Sequence, residues 1–313
     1  MITIRGKKIN LFSAVLFSVF IVAFAHDARA EECGVCSAAS RSDSLLGMGG
    51  IEYLVQQQQE DVSPFNAELR FGGLYDSRVG SSTGSDQEDS DTALTARLAL
   101  GWQAPMMGNF GFRLDYRGYT DFHNDYDEYD MIDQSISLEP LYKAGQFIFS
   151  LPLSFNIAWQ DGDHEFNRYA VSPTVTYLIP NTTQALAIYG IAAKIEDKDD
   201  DEKIGGIEWF DEDGKTYGGG LAYLYYFANK SRLRLSLDYQ HSEYDALVWQ
   251  YQNTSDFSEK RDSDAVVAGL DMLFQLTDHF GLYINYAFIH STSNVDVYEY
   301  NRHLVEGGLA LKF

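Results

Sequence analysis

From Phe65 onward the chain alternates apolar and polar residues with period two. Ala67, Leu69 and Phe71 oppose Glu68, Arg70 and Gly72. Leu94, Ala96, Leu98, Leu100 and Trp102 oppose Thr95, Arg97, Gly101 and Gln103. Successive strand side chains point to opposite faces, so this pattern predicts strands with one apolar and one polar face. Twelve segments read this way: 65–75, 93–103, 110–120, 132–142, 147–159, 167–178, 185–195, 216–227, 232–241, 265–276, 280–290 and 302–313. In segment 185–195 the apolar face is assigned to Ala187, Tyr189, Ile191 and Ile195, which puts Lys194 on the polar face. Pro152 and Pro173 fall inside segments and are expected at bulges, because proline offers no N–H to a ladder.

The connections alternate in length. Ala104–Asn109, Lys143–Gln146, Ile179–Gln184, Ala228–Ser231 and Thr277–His279 are short. Asp76–Asp91, Glu196–Lys215 and Ser242–Asp264 are long and acidic. Short turns at one end and long loops at the other, with an even strand count, predict an all-β, antiparallel transmembrane β-barrel of about twelve strands over residues 63–313. Its sheet must close, since lipid satisfies no free backbone N–H or C=O. Tyrosines and phenylalanines near strand ends suit aromatic girdles at the two interfaces.

The first thirty residues carry a different signal. Arg5, Lys7 and Lys8 precede the apolar run Leu11–Ala25, and Ala28-Arg29-Ala30 offers small residues for cleavage. The run is shorter than the ~20 residues of a span, so residues 1–30 read as a secretory signal peptide. Residues 31–62 read as a periplasmic lead-in or small plug. Cys33 and Cys36 there read as a local disulfide of an oxidising compartment, with a redox pair or half a metal site as the alternative.

Removing residues 1–30 takes four basic residues and one acidic one from totals of 23 and 46, leaving 19 and 45, a net −26. Nucleic acid is excluded as a partner by that balance. The acidic run from Glu196 to Glu202 reads as a solvated loop, with calcium or a divalent-cation bridge to lipopolysaccharide as the alternative, and no cofactor or metal site is assigned. By strand phase, however, ten basic residues face the polar interior: Arg70, Arg97, Arg113, Arg117, Arg168, Lys194, Arg232, Arg234, Arg302 and Lys312. Seven acids join them: Glu68, Asp115, Asp133, Glu139, Asp238, Asp271 and Glu306. Two readings stay open: a positive passage for small polar or anionic solutes, or an internal ion-pair lattice that fills the barrel. The lattice reading pairs Arg117 with Asp115 and Arg234 with Asp238.

The last eight residues, EGGLALKF, resemble the C-terminal signal read by the barrel-assembly machinery. Glu306, Gly308, Leu311 and Phe313 carry that resemblance. Residues 165–313 resemble the barrel domain of the surface lipoprotein assembly modifier family. The carriers are Tyr251, Arg261-Asp262, the stretch Thr292–Arg302 and the closing strand to Phe313. The resemblance implies an export or surface-assembly barrel. That family adds a tetratricopeptide domain, not read here, and fourteen strands against the twelve counted. His290-Ser291-Thr292-Ser293-Asn294 is similar to the H-x-S-N-G of outer-membrane phospholipases, with one extra residue and no glycine. It reads as a polar loop start, since a hydroxyl nucleophile needs a base held within reach. The expected class is therefore a non-enzymatic, porin-like protein contacting outer-membrane lipids, with surface assembly and then lipid chemistry as alternatives.

Overall fold

Twelve strands follow one another, each hydrogen-bonded antiparallel to the next: β1 (Phe65–Asp76), β2 (Asp91–Gln103), β3 (Phe110–His123), β4 (Met131–Ala144), β5 (Phe147–Ser150 and Leu153–Gln160), β6 (Asp163–Val171 and Thr174–Leu178), β7 (Gln184–Asp197), β8 (Gly214–Tyr226), β9 (Arg232–Trp249), β10 (Ser258–Gln275), β11 (Phe280–Ser293) and β12 (Tyr300–Lys312). This computed structural model describes residues 2–4, 7–9, 63–78, 90–197, 213–249, 258–294 and 299–313. The lead-in with Cys33 and Cys36, and most of the acidic run 196–202, lie outside the described residues. Within the expected signal peptide, Ile2–Ile4 pairs with Lys7–Ile9.

β12 closes on β1 in a register that runs from Leu304↔Asp76 to Lys312↔Glu68. The last residue completes this seam: Phe313 N donates to Ala67 O at 2.9 Å and Ala67 N to Phe313 O at 3.2 Å. At the other end of the seam, the Arg302 guanidinium bonds the buried Asp76 carboxylate. Each of the twelve described strands of the barrel is thus paired on both sides, as a lipid-facing sheet requires.

The prolines act as the missing N–H predicts, but as full breaks. β5 stops at 151–152 and β6 at 172–173, and the two gaps lie opposite each other in one hairpin. Ser172 N bonds Pro152 O at 3.0 Å and Gly190 N bonds Pro173 O at 2.9 Å. Two missing donors therefore interrupt a single level of the ladder. That hairpin turns at Asp161-Gly162, where φ is 48° and 86°. Positive φ at both central residues matches the twist of the flanking strands.

The outer surface is an apolar band. Leu94, Ile136, Leu153, Leu221, Leu237, Ile284 and Leu309 are all exposed. Aromatic contacts ring its short-turn end: Trp102 against Phe65 and Phe112, Phe110 against Tyr142, Phe147 against Tyr177, Tyr225 against Phe227. A second group near the long-loop end includes Trp159 against His164 and Phe288 against His303. A closed barrel with such a band and girdles is an outer-membrane barrel.

Two expectations need correction. In β7, Ala187, Tyr189, Ile191 and Ile195 are buried, while Leu186 and Ile188 are exposed at 49% and 59%. The strand is therefore in the opposite phase, and Lys194 points outward, 2.6 Å from Glu196. Secondly, β9 and β10 run 18 residues each, well into the expected loop Ser242–Asp264, with a bulge between Glu243 and Leu247. Beyond the bilayer no apolar face is needed, so pairing there leaves no alternation in the sequence.

Gly72 and Gly308 form a cross-strand pair at the seam and both face inward. The Tyr283 hydroxyl occupies the place of a Gly72 side chain, and a Gly308 Cβ would strike the Phe71 carbonyl oxygen and the Gly72 Cα. These neighbours are backbone and cannot move aside cheaply. Gly308→Val should therefore lower the stability of the folded barrel by about 1–3 kcal/mol, the usual range for overpacking. Urea titration of the barrel in lipid vesicles measures this. A variant as stable as wild type would mean that the seam is looser than its contacts.

Candidate functional site: a charged belt in the lumen

The interior is layered. Toward the long-loop end, Leu74, Ala93, Val267, Ile289 and Leu304 form one apolar cluster, and Met131, Ala158, Phe166, Ile195 and Tyr244 another. Toward the short-turn end, the wall of β4–β8 is apolar, from Leu141 and Ile148 to Leu224 and Tyr226, with Met106 packed on it. Leu273, Tyr283 and Ala310 form a further small cluster. Between these layers runs a belt of charge.

On one wall the belt is a connected network. Glu68 on β1 takes Arg70 Nε at 2.6 Å and lies 3.7 Å from both Lys312 Nζ and Arg232 Nη2. Asp271 on β10 takes Arg70 Nη1 at 2.8 Å and Arg232 Nε at 3.3 Å. The Arg70 guanidinium also lies 4.9 Å over the Tyr283 ring. Glu306 on β12, fully buried, is the hub beside it. It accepts from Thr95 Oγ1 at 2.8 Å, Tyr283 OH at 3.0 Å, Asn285 Nδ2 at 3.0 Å and both Nε and Nη2 of Arg97. Arg97 in turn stacks 4.6 Å over Tyr119.

Elsewhere in the lumen the charges are held locally. Arg113 Nε and Nη2 each approach the Asp115 carboxylate at 2.6 Å, a fork-to-fork pair. A Cβ on Gly101 would sit 2.5 Å from Arg113 Nη2, so glycine makes room for the fork. Asp133 accepts two bonds from Asn156 Nδ2, at 2.8 and 2.9 Å. Asp238 accepts from the Tyr189 hydroxyl across Gly220. Arg168 is buried on β6, two residues from Phe166. Arg261, unassigned from sequence, lies 3.6 Å over the Tyr244 ring.

The expected pairs Arg117–Asp115 and Arg234–Asp238 are thus replaced: Asp115 goes to Arg113 and Asp238 to Tyr189. Register explains the first, since Arg113 and Asp115 are neighbours on one face of β3, over the gap left by Gly101. The expected excess of ten cations over seven acids also changes. Lys194 leaves, Arg261 joins, and Asp76, Asp91 and Asp121 prove to face inward at the long-loop rim. Among the described residues these three carboxylates offset much of the expected basic excess. The rim acids gather round His123, whose Nδ1 lies 3.1 Å from Asp91 and Nε2 3.8 Å from Asp121.

The balance is uneven in space. The wall of β9–β12, β1 and β2 holds Arg70, Arg97, Arg232, Arg234 and Lys312 against Glu68, Asp238, Asp271 and Glu306 in this belt. A cavity opens on it, bounded by Arg97, Tyr119, Arg234, Asp271, Asn285 and Glu306. Arg234 is 6% exposed. Among the described residues it makes no hydrogen bond or ion pair, although its charge acts on Asp238 and Asp271. Sequence phase puts Thr95 on the polar face but does not single out Thr95, Tyr283 or Asn285 as members of the network, since they are neutral. The usable signal is a large inward aromatic, Tyr283, opposite the small inward pair Gly72 and Gly308.

The residues of the assembly resemblance divide by face. Leu311 and Phe313 point outward, while Glu306 and Gly308 point inward. In the stretch similar to phospholipases, His290 Nδ1 lies 2.9 Å from Asn301 Oδ1 on the outer face. No hydroxyl among the described residues hydrogen-bonds that histidine.

No family model matches the chain, and no curated protein matches it. The resemblance to surface lipoprotein assembly modifiers therefore rests on residues 165–313 alone. Solved structures do align. An outer-membrane channel from Pseudomonas putida F1 does so with TM-score 0.50 and 10% identity, over 81% of this chain and 97% of its own. An anion-selective porin from Comamonas acidovorans gives 0.40 and 11%, over 80% and 98%. The outer membrane phospholipase of Salmonella typhi gives 0.43 and 11%, over 83% and 97%. At such identities the likeness is one of fold, that of an outer-membrane β-barrel.

Proposed function

We propose that this barrel is a narrow porin-like channel for small polar or anionic solutes. The observation that supports the reading is Arg234, which lines the lumenal cavity and has no direct hydrogen-bond or ion-pair partner among the described residues. Apolar layers above and below keep the local dielectric low, so fixed charge acts more strongly there than in water. A positive wall in a confined lumen concentrates anions and repels cations. The paired arginines hold the wall rigid, and Arg234 supplies the uncompensated charge.

Planar-bilayer recording across a potassium chloride gradient tests this. The wild-type reversal potential should have the sign of anion preference. Arg234→Glu changes the wall by two charges and should move that potential toward cation preference. An open wild-type channel whose reversal potential does not respond would reject the reading. A barrel with no conductance would also reject it, and would leave surface assembly as the role to test.

A further inference from the structure

We infer that the lumenal cavity is a binding site for a small organic carboxylate with a compact apolar body. This rests on the channel reading above and adds the solute class. The cavity has two unlike sides. One presents Arg234 and Arg97; the other is apolar, with Leu74, Ala287 and Leu304. Leu74 and Leu304 belong to the apolar cluster above the charged belt, and Ala287 packs against it.

Each side selects. Arg234 lines the cavity and makes no hydrogen bond among the described residues, so its guanidinium donors are available to a ligand that supplies acceptors. A carboxylate matches the guanidinium fork with two parallel bonds, which a halide cannot do. Arg97 is already engaged by Glu306, so it contributes field and one flank. Asp271 is held by Arg70 and Arg232, which offsets its repulsion of an incoming anion. The apolar side offers nothing to phosphate or sulfate, which carry acceptors in every direction and would leave some unpaired against Leu74 and Leu304. It does reward a hydrocarbon body, each buried methylene being worth about fourfold in affinity. Asn285 and Tyr119 complete the wall between the two sides.

The test uses the full barrel in detergent micelles, with calorimetric titration of acetate, butyrate, benzoate and inorganic phosphate. Benzoate and butyrate should bind at least about tenfold more tightly than acetate, and phosphate no better than acetate. Arg234→Gln should abolish the binding, whereas Leu304→Asn should keep acetate binding and erase the advantage of the larger bodies. If Arg234→Gln fails to fold, Arg234→Lys carries the same test, because it keeps the charge and loses the fork; benzoate affinity must still fall severalfold. Equal binding of all four anions, or binding unchanged by the Arg234 substitution, overturns the site. Benzoate binding that depends on Arg234 in a barrel without conductance leaves the site standing and removes only the channel reading.

Discussion

Replacing Glu306 by alanine should destabilise the barrel by about 3–5 kcal/mol, the usual cost of stripping one partner from a buried ion pair. The carboxylate takes bonds from Arg97, Thr95, Tyr283 and Asn285 at once. Removing it leaves the Arg97 charge uncompensated and takes the acceptor from three neutral donors. Glu306→Gln should cost less, since the amide oxygen still accepts while its N–H₂ faces the guanidinium. The order alanine, then glutamine, then wild type should appear in urea unfolding of the vesicle-embedded barrel. A wild-type midpoint for Glu306→Ala would mean that water or another carboxylate takes over, and the network would not be the framework of the lumen. The double change Glu306→Ala with Arg97→Ala separates the terms. It should recover part of the loss, because no charge is then stranded.

Much of this architecture is legible in the sequence, and the failures have physical causes. Strand number, closure and the inward arginines follow from period-two alternation, because lipid on one side and a polar lumen on the other force opposite chemistry onto adjacent residues. β7 is misread because that condition fails there. Its inner wall is itself apolar, so Leu186 and Ile188 compete with Ala187, Tyr189, Ile191 and Ile195 for the lipid face. The true phase follows only from register, with Ala187 opposite the buried Thr176 and Ala222. The lengths of β9 and β10 are missed for a different reason: above the membrane both faces meet water. Pairing within the lumen is missed because diagonal contacts between tilted strands depend on stagger. Arg70 and Asp271 are 201 residues apart in sequence and sit on strands separated by two others. Nothing along the chain marks that they meet.

Deleting Phe313 should cut the amount of barrel in the outer membrane severalfold while leaving export to the periplasm intact. Two contributions combine. The first is proposed from the resemblance of the last eight residues to the signal read by the barrel-assembly machinery, in which the terminal aromatic is a principal feature. Phe313 and Leu311 both point outward, so a recognising partner could reach them before lipid covers them. The second is structural. Phe313 supplies two backbone bonds with Ala67 that extend the β12–β1 ladder past Lys312. This seam joins strands that are remote in sequence, so its entropy of closure is large and each rung counts. Phe313→Ala separates the contributions, since it keeps the backbone bonds and removes the aromatic ring. If recognition dominates, Phe313→Ala should insert as poorly as the deletion, yet purified protein refolded into lipid vesicles should be nearly as stable as wild type. If the seam dominates, Phe313→Ala should insert normally and only the deletion should unfold at lower urea. Heat-modifiable protein in the outer-membrane fraction measures insertion, and the periplasmic fraction measures export. Normal insertion of both variants would show that the C-terminal residue serves neither purpose.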